Sequence, residues 1–394
     1  MKKIYLDHAA TTGVLKEVLN EMLPYFNENY GNPSSLHSLG REARKVVDIS
    51  RQKIAKCLNC FDSEIYFTSG GTESDNWAIR GAAYASLKKG NHIITSKIEH
   101  HAVLNCCKQL EKEGFVVTYL DVNADGVVEL DTLKKAITDK TTLVSVMFAN
   151  NEIGTVQDIA DIGKFCRQNK IIFHTDAVQA AGHEEIDLKS MNIDLLSLSA
   201  HKFYGPKGIG VLYIKNGLKI NKMIIGGSQE RNMRGGTTNV PLIVGLSKAL
   251  EIACENRAKN NKYIASLCEY LIKRIESEIP NCKLNGHRTK RLCNNANFSF
   301  EFIEGESILI SLDLKNIAVS SGSACTSGSL EPSHVLLACG IDIESAHGSI
   351  RFSLGKDNTK EEIDYTVDTL KSIIENLRKM SPLFKAEGGG IKNV

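Results

Sequence analysis

Between about residues 60 and 215, short β-branched runs alternate with longer stretches of helical period, and this alternation narrows the folds open to the chain. The runs are Ile65-Tyr66-Phe67-Thr68, Ile93-Ile94-Thr95, Val116 to Leu120, Leu143 to Phe148, Ile171 to His174, Leu195 to Leu198 and Ile209 to Ile214. Between several of them lie helix-like stretches, over Glu73 to Leu87, Ala102 to Glu113, Leu130 to Ile137 and Ile159 to Gln168. Short apolar strands separated by amphipathic helices predict an α/β fold, with a mostly parallel sheet buried between helices.

The pattern changes after Pro241. Residues 242–278 read as one long helix, and strands near Asn297 to Phe302, Ile317 to Ser320 and Ile350 to Ser353 then mix with further helices. The expected division is a large α/β domain over 15–255 and a smaller α+β domain over 256–384 together with 1–14. Residues 385–394, with Gly388-Gly389-Gly390 and no apolar period, are expected to form a flexible tail.

At 394 residues the chain is long enough to bury its core without disulfides. Its 48 basic and 46 acidic side chains leave a formal charge of +2, which gives no electrostatic reason to expect nucleic acid or a membrane as the main partner. Eleven cysteines spread through so long a chain do not resemble a secreted disulfide scaffold and fit a reducing setting. Asp7 and His8 interrupt any apolar core behind Lys2 and Lys3, so a soluble, cytoplasmic protein is expected.

In open α/β sheets ligands bind beyond the carboxyl ends of the strands, and here those ends are polar. Ser69-Gly70-Gly71-Thr72-Glu73 joins a strand to a helix and offers N–H groups and the positive end of a helix dipole to a phosphate, although an ordinary N-cap by Thr72 or Ser69 accounts for the same residues. Asp176 closes an apolar strand where a lone carboxylate is costly, so it needs a cation: a protonated ring nitrogen, or simply a nearby lysine. Lys202 ends the next strand, 26 residues later, as either a Schiff-base amine or a surface lysine in a Gly/Pro loop. Taken jointly, a phosphate cradle, a carboxylate for a ring nitrogen and a lysine for an aldehyde describe pyridoxal 5'-phosphate.

Over nearly its whole length the chain resembles the cysteine desulfurases of the NifS/IscS type, aminotransferase class V members of the fold-type I pyridoxal phosphate enzymes. The likeness rests on TSGGTESDN at 68–76, SKIEHHAV at 96–103, NNEIGTVQDI at 150–159, HTDAVQ at 174–179, SAHKFYGPKG at 199–208, RGGTTN at 234–239, SSGSACTSGSLEPS at 320–333 and SIRFSLG at 349–355. The resemblance implies a seven-stranded, mostly parallel sheet in the large domain. It also implies that Lys202 bonds the cofactor, Asp176 faces the pyridine nitrogen, Gln179 meets the phenolic oxygen and His100 stacks on the ring and carries protons. Gly71, Thr72, Ser199 and His201 match phosphate-binding positions, and Thr237 matches one supplied by a neighbouring subunit, which implies a homodimer with shared active sites. Asn151 and Arg351 match the pair that holds the substrate carboxylate.

Cys325 matches the catalytic cysteine, in a small, polar loop. The implied reaction removes sulfur from L-cysteine, leaving L-alanine and a persulfide on Cys325 for an acceptor that serves iron–sulfur assembly, tRNA thiolation or both. Selenocysteine lyase or cysteine-sulfinate desulfinase activity would look the same at the cofactor positions. No resident metal site is expected: Cys57-Leu58-Asn59-Cys60 has no answering pair at zinc-site spacing, and Cys325 could ligate an iron–sulfur cluster only in passing. A non-catalytic, cysteine-rich metal scaffold is the reading of a different class.

Overall fold

The computed structural model describes residues 3–321, 331–381 and 384. Strands β1 (Ile4–Tyr5), β2 (Ile65–Thr68), β3 (His92–Ser96), β4 (Val116–Leu120), β5 (Thr141–Ser145), β6 (Ile172–Asp176), β7 (Leu195–Ser199) and β8 (Gly210–Ile214) are followed by β9 (Cys282–Asn285), β10 (Asn295–Phe300), β11 (Ile317–Ala318), β12 (Ser320–Ser321) and β13 (Ser349–Ser353).

Seven strands form one sheet in the order β2-β8-β7-β6-β5-β3-β4. The five from β3 to β7 are mutually parallel, and β8 runs antiparallel to both of its neighbours. Strands β3, β5, β7 and β8 are buried at every position, as strands covered on both faces by helices must be. The run ending at Phe148 is regular strand only to Ser145, yet Val146 N and Phe148 N still donate to His174 O and Asp176 O of β6. That continuation carries the chain past the sheet edge to Asn151.

The 39-residue helix Val240–Glu278 begins with Pro241 in its first turn, and the Asn239 side chain accepts from Leu242 N at 3.3 Å. It is unbroken across the expected 255/256 boundary. Its buried residues up to Leu250 pack with the large sheet, and those from Ile264 onward join a second apolar cluster with β10, β13 and the helix Lys360–Met380. Ile4 and Leu6 belong to that second cluster, because β1 pairs in parallel with β11. Two long helices were not singled out in the sequence: Ser38–Leu58, ended by Asn59 in the left-handed region at φ 53°, and Lys360–Met380, opened by a Thr359/Glu362 capping box.

Among the described residues, no helix is long and apolar enough to cross a membrane. Phe298 is fully buried in the second cluster and stacks on Phe300 with ring centroids 6.0 Å apart. Truncating Phe298 to Ala is expected to cost about 3–5 kcal/mol of stability, read from urea unfolding; a loss below about 1 kcal/mol would mean that this cluster does not hold the fold together.

Candidate active site

A cavity of about 320 Å³ opens beyond the carboxyl ends of β5, β6 and β7. Ten of the residues expected at the site line it: Gly71, Thr72, His100, Asn151, Asp176, Gln179, Ser199, His201, Lys202 and Arg351. They arrive from five strand ends of the large sheet and, with Arg351, from β13 of the smaller one.

The turn after β2 is shaped by Gly70, at φ 153° and ψ −176°, a conformation that residues with a Cβ avoid. It launches the helix Gly71–Ser86, whose first N–H groups have no partner within the helix. A Cβ on Gly71 would come within 2.9 Å of Val178 Cγ2, so glycine keeps the space over that turn open. Ser199 and His201 line the cavity beside this turn, at a helix N-terminus of the kind that favours an anion.

Asp176 is buried at the end of β6, and its Oδ1 accepts from Val178 N at 2.9 Å. Burial pushes its carboxyl up, while the Val178 N–H and the Lys202 charge pull it back down. Behind it lies Asp75, which also lines the cavity and whose Oδ1 has no hydrogen-bond partner among the described residues. Burial, then Asp176 and Glu99, drive Asp75 well above the usual carboxylate range, against a lowering hydrogen bond from Ser197. His174 passes beneath, bonded to Ser145 Oγ at 2.8 Å and Ser197 Oγ at 3.1 Å, and burial holds it neutral.

Lys202 Nζ donates to Ala9 O at 2.5 Å and Ala10 O at 2.8 Å, and Gln179 Nε2 donates to Ala9 O at 2.9 Å. The tract Tyr5 to Thr12 thus supplies backbone acceptors to two site residues that lie far along the sequence. Residue types gave no sign of this, since the groups involved are carbonyls. Asp75 did leave a signal, standing one helical turn after Gly71 within TSGGTESDN.

His100 caps the helix His101–Lys112 by accepting from Ala102 N on Nδ1 at 3.1 Å, which leaves its proton on Nε2. His101 turns away from the cavity and packs on His334 with ring centroids 4.8 Å apart. Thr237 is exposed and lines a separate cavity of about 190 Å³ that includes Ser69 and Arg234. Arg234 binds both oxygens of Glu73, at 2.9 and 3.0 Å, which ties the segment bearing Thr237 to the cradle. Cys325 lies outside the described residues. The Cys57 and Cys60 side chains are half-buried, and no three His, Cys, Asp or Glu side chains among the described residues are gathered as metal ligands would be.

Burial, followed by the Lys202 and His101 charges, pushes His100 down from 6.5 to about 4. The unfolded chain therefore takes the proton first. His100 costs no stability above about pH 6.5, and folding loses stability as pH falls from there toward about 4. An NMR titration of His100 in the cofactor-free protein is expected to find its midpoint below pH 5; a midpoint near 6.5 would contradict this burial.

The aminotransferase class-V model matches residues 4–366. A cysteine desulfurase IscS of Clostridium botulinum is 58% identical over 386 residues, spanning 98% of this chain and 97% of the relative. Among solved structures, a NifS-like protein superposes with a TM-score of 0.90 at 40% identity, covering 95% of this chain and all of the other. A second, SspA in complex with cysteine, gives 0.79 at 39% identity over 91% of this chain and all of that one. The phosphate-type cradle, the buried carboxylate and the lysine in one cavity match what this likeness implies: the chain belongs to the aminotransferase class-V family, among its cysteine desulfurases.

Proposed function

We propose that this chain is a pyridoxal-phosphate-dependent cysteine desulfurase that converts L-cysteine to L-alanine and leaves the sulfur as a persulfide on Cys325. One observation carries the reading. A single cavity brings together Lys202, a buried carboxylate at Asp176, an anion cradle at Gly71 and Thr72, and the buried guanidinium of Arg351. The residues fit the cofactor: the turn is kept open by glycine, Asp176 is a buried carboxylate facing the cavity, and Lys202 is held there by backbone carbonyls.

Gly71, Thr72, Ser199 and His201 would hold the phosphate, Asp176 the ring nitrogen, Gln179 the phenolic oxygen and Lys202 the aldehyde carbon. When bound, pyridoxal phosphate supplies an electron-withdrawing ring that stabilises negative charge at the substrate's Cα. Lys202, an amine on a short 3-10 turn after β7, removes the Cα proton. The Val178 N–H and the Lys202 charge favour the charged form of Asp176, the form that would face a ring nitrogen. His100, on the cavity wall, would move the proton of the substrate thiol. Arg351 and Asn151 fix the substrate carboxylate and so orient its Cα and sulfur.

The Cys325 thiolate forms an S–S bond to the substrate sulfur as the substrate's C–S bond breaks. The bonding pair stays with the carbon skeleton, which takes up protons and leaves as L-alanine. In sum, cysteine and one enzyme thiol become alanine and one enzyme persulfide. That sulfur passes to an acceptor protein, for which an iron–sulfur scaffold or a tRNA-thiolation partner is the natural class. The exposed position of Thr237 supports a homodimer in which each copy completes the other's phosphate site. The reducing, cytoplasmic setting expected for the chain keeps Cys325 available.

Replacing Cys325 with Ser is expected to abolish persulfide formation and sulfide release while cysteine still perturbs the absorbance of the bound cofactor; full turnover in that variant would contradict the assignment. Borohydride reduction of the holoenzyme is expected to fix the cofactor on Lys202 alone, as read by peptide mass mapping, and Lys202→Ala is expected to give no fixed adduct. Trapping at another lysine would refute the choice of Lys202.

A further inference from the structure

Arg351 sits on β13 with its side chain 2% exposed, and a guanidinium so buried needs its charge offset. The offset comes from Asp7, whose Oδ1 accepts from Nη2 at 2.9 Å. Nη1 donates to Asn151 O at 2.9 Å, which leaves Arg351 Nε buried with no acceptor among the described residues. The other carboxylate close to Arg351, that of Glu152, is engaged by the Ser333 hydroxyl. The resting contact is therefore a one-oxygen ion pair on a group built to take two oxygens, with its Nε–H unpaired among the described residues.

Asp7 is placed by backbone. It bridges to Ser353 of β13, its carbonyl accepts from Tyr5 Oη at 3.0 Å and Ala10 N at 3.0 Å, and Ala9 N donates to Ser353 Oγ at 2.8 Å. The same short tract meets Lys202 through Ala9 and Ala10. Asp7 is thus a carboxylate held against Arg351, the lining residue at which an amino acid's own carboxylate would dock.

Resting on the reading of Arg351 as the carboxylate anchor, we propose that Asp7 is a specificity-determining residue, an internal counter-carboxylate that shares Arg351 with the substrate and lowers the affinity of the site for amino acids. An arriving carboxylate meets a cation already half neutralised, so binding of cysteine and retention of alanine are both weakened. Discrimination against amines without a carboxylate is weakened as well. The device suits an enzyme that must let alanine go while a persulfide waits on the chain.

The test uses holoenzyme and two ligands, L-alanine and ethylamine, with dissociation constants read from the absorbance of bound pyridoxal phosphate. With Asp7→Asn, the Kd of alanine is expected to fall by about tenfold, the scale of one contact between partly buried charges, and that of ethylamine to stay unchanged. Asp7→Glu, which keeps the charge, is expected to retain the wild-type Kd. An unchanged or increased alanine Kd in Asp7→Asn would overturn the proposal and leave Asp7 as a structural brace. Arg351→Lys separates the two layers: if it fails to weaken alanine relative to ethylamine, the reading of Arg351 itself is wrong. Should Asp7→Asn not fold, wild-type enzyme labelled with ¹⁵N at arginine Nε decides. Alanine, and not ethylamine, is expected to shift the Arg351 Nε–H resonance, and no shift would refute the sharing of Arg351.

Discussion

Charge buried at the carboxyl edge of the seven-stranded sheet is the constraint on which the rest of this structure depends. Four strand ends bring Asp75, Glu99, Asp176, His100 and Lys202 to the walls of one cavity or just behind them, with the three carboxylates buried from water. Burial favours the neutral form of the three carboxylates and of His100. What distinguishes Asp176 from Asp75 is local: it has a backbone N–H donor in Val178 and lies within the field of Lys202, whereas Asp75 Oδ1 has no hydrogen-bond partner among the described residues and lies 3.7 Å from His174 Nε2. Burial raises both carboxyls, Asp75 the further of the two, while the Val178 N–H and Lys202 favour the charged form of Asp176.

A second dependence runs through the N-terminal tract. Residues 4–12 pair with β11, bridge to β13 and then cross to the large sheet, where Thr12 N donates to His201 O at 2.9 Å. On the way they give Asp7 to Arg351 and carbonyls to Lys202 and Gln179. The cavity takes Arg351 from one apolar cluster and its lysine from the other, and this tract together with the unbroken helix Val240–Glu278 links the two.

Much of this was legible in the residues. Strands such as Leu195–Ser199, predicted over Leu195 to Leu198, are where the apolar runs put them, because residues buried on both faces of a sheet leave a dense local signal, and the helix Ile159–Gln168 keeps its helical period. Ten expected site residues line one cavity; Asp176, Lys202 and the turn at Gly71 and Thr72 stand out as polar groups after apolar strands, each with an ordinary alternative, and the family resemblance supplies the others. Asp7, Asp75 and the carbonyls of Ala9 and Ala10 were not assigned a role. Asp7 meets Arg351 across 344 residues through a β-bridge, and no local pattern encodes that pairing. The helix Lys360–Met380 was passed over because its exposed face is dense with charge, and only its buried stripe of Ile363, Val367, Leu370 and Ile374 reveals its packing.

The central claim is that sulfur leaves cysteine only by joining the chain at one thiol. A single turnover of holoenzyme with L-cysteine, in the absence of acceptor and reductant, tests it most directly when alanine is counted and the protein is mapped by peptide mass. The account predicts one added sulfur atom per alanine released, confined to the peptide that carries Cys325. Alanine released with no sulfur on the chain, or sulfur found on another cysteine, would contradict it.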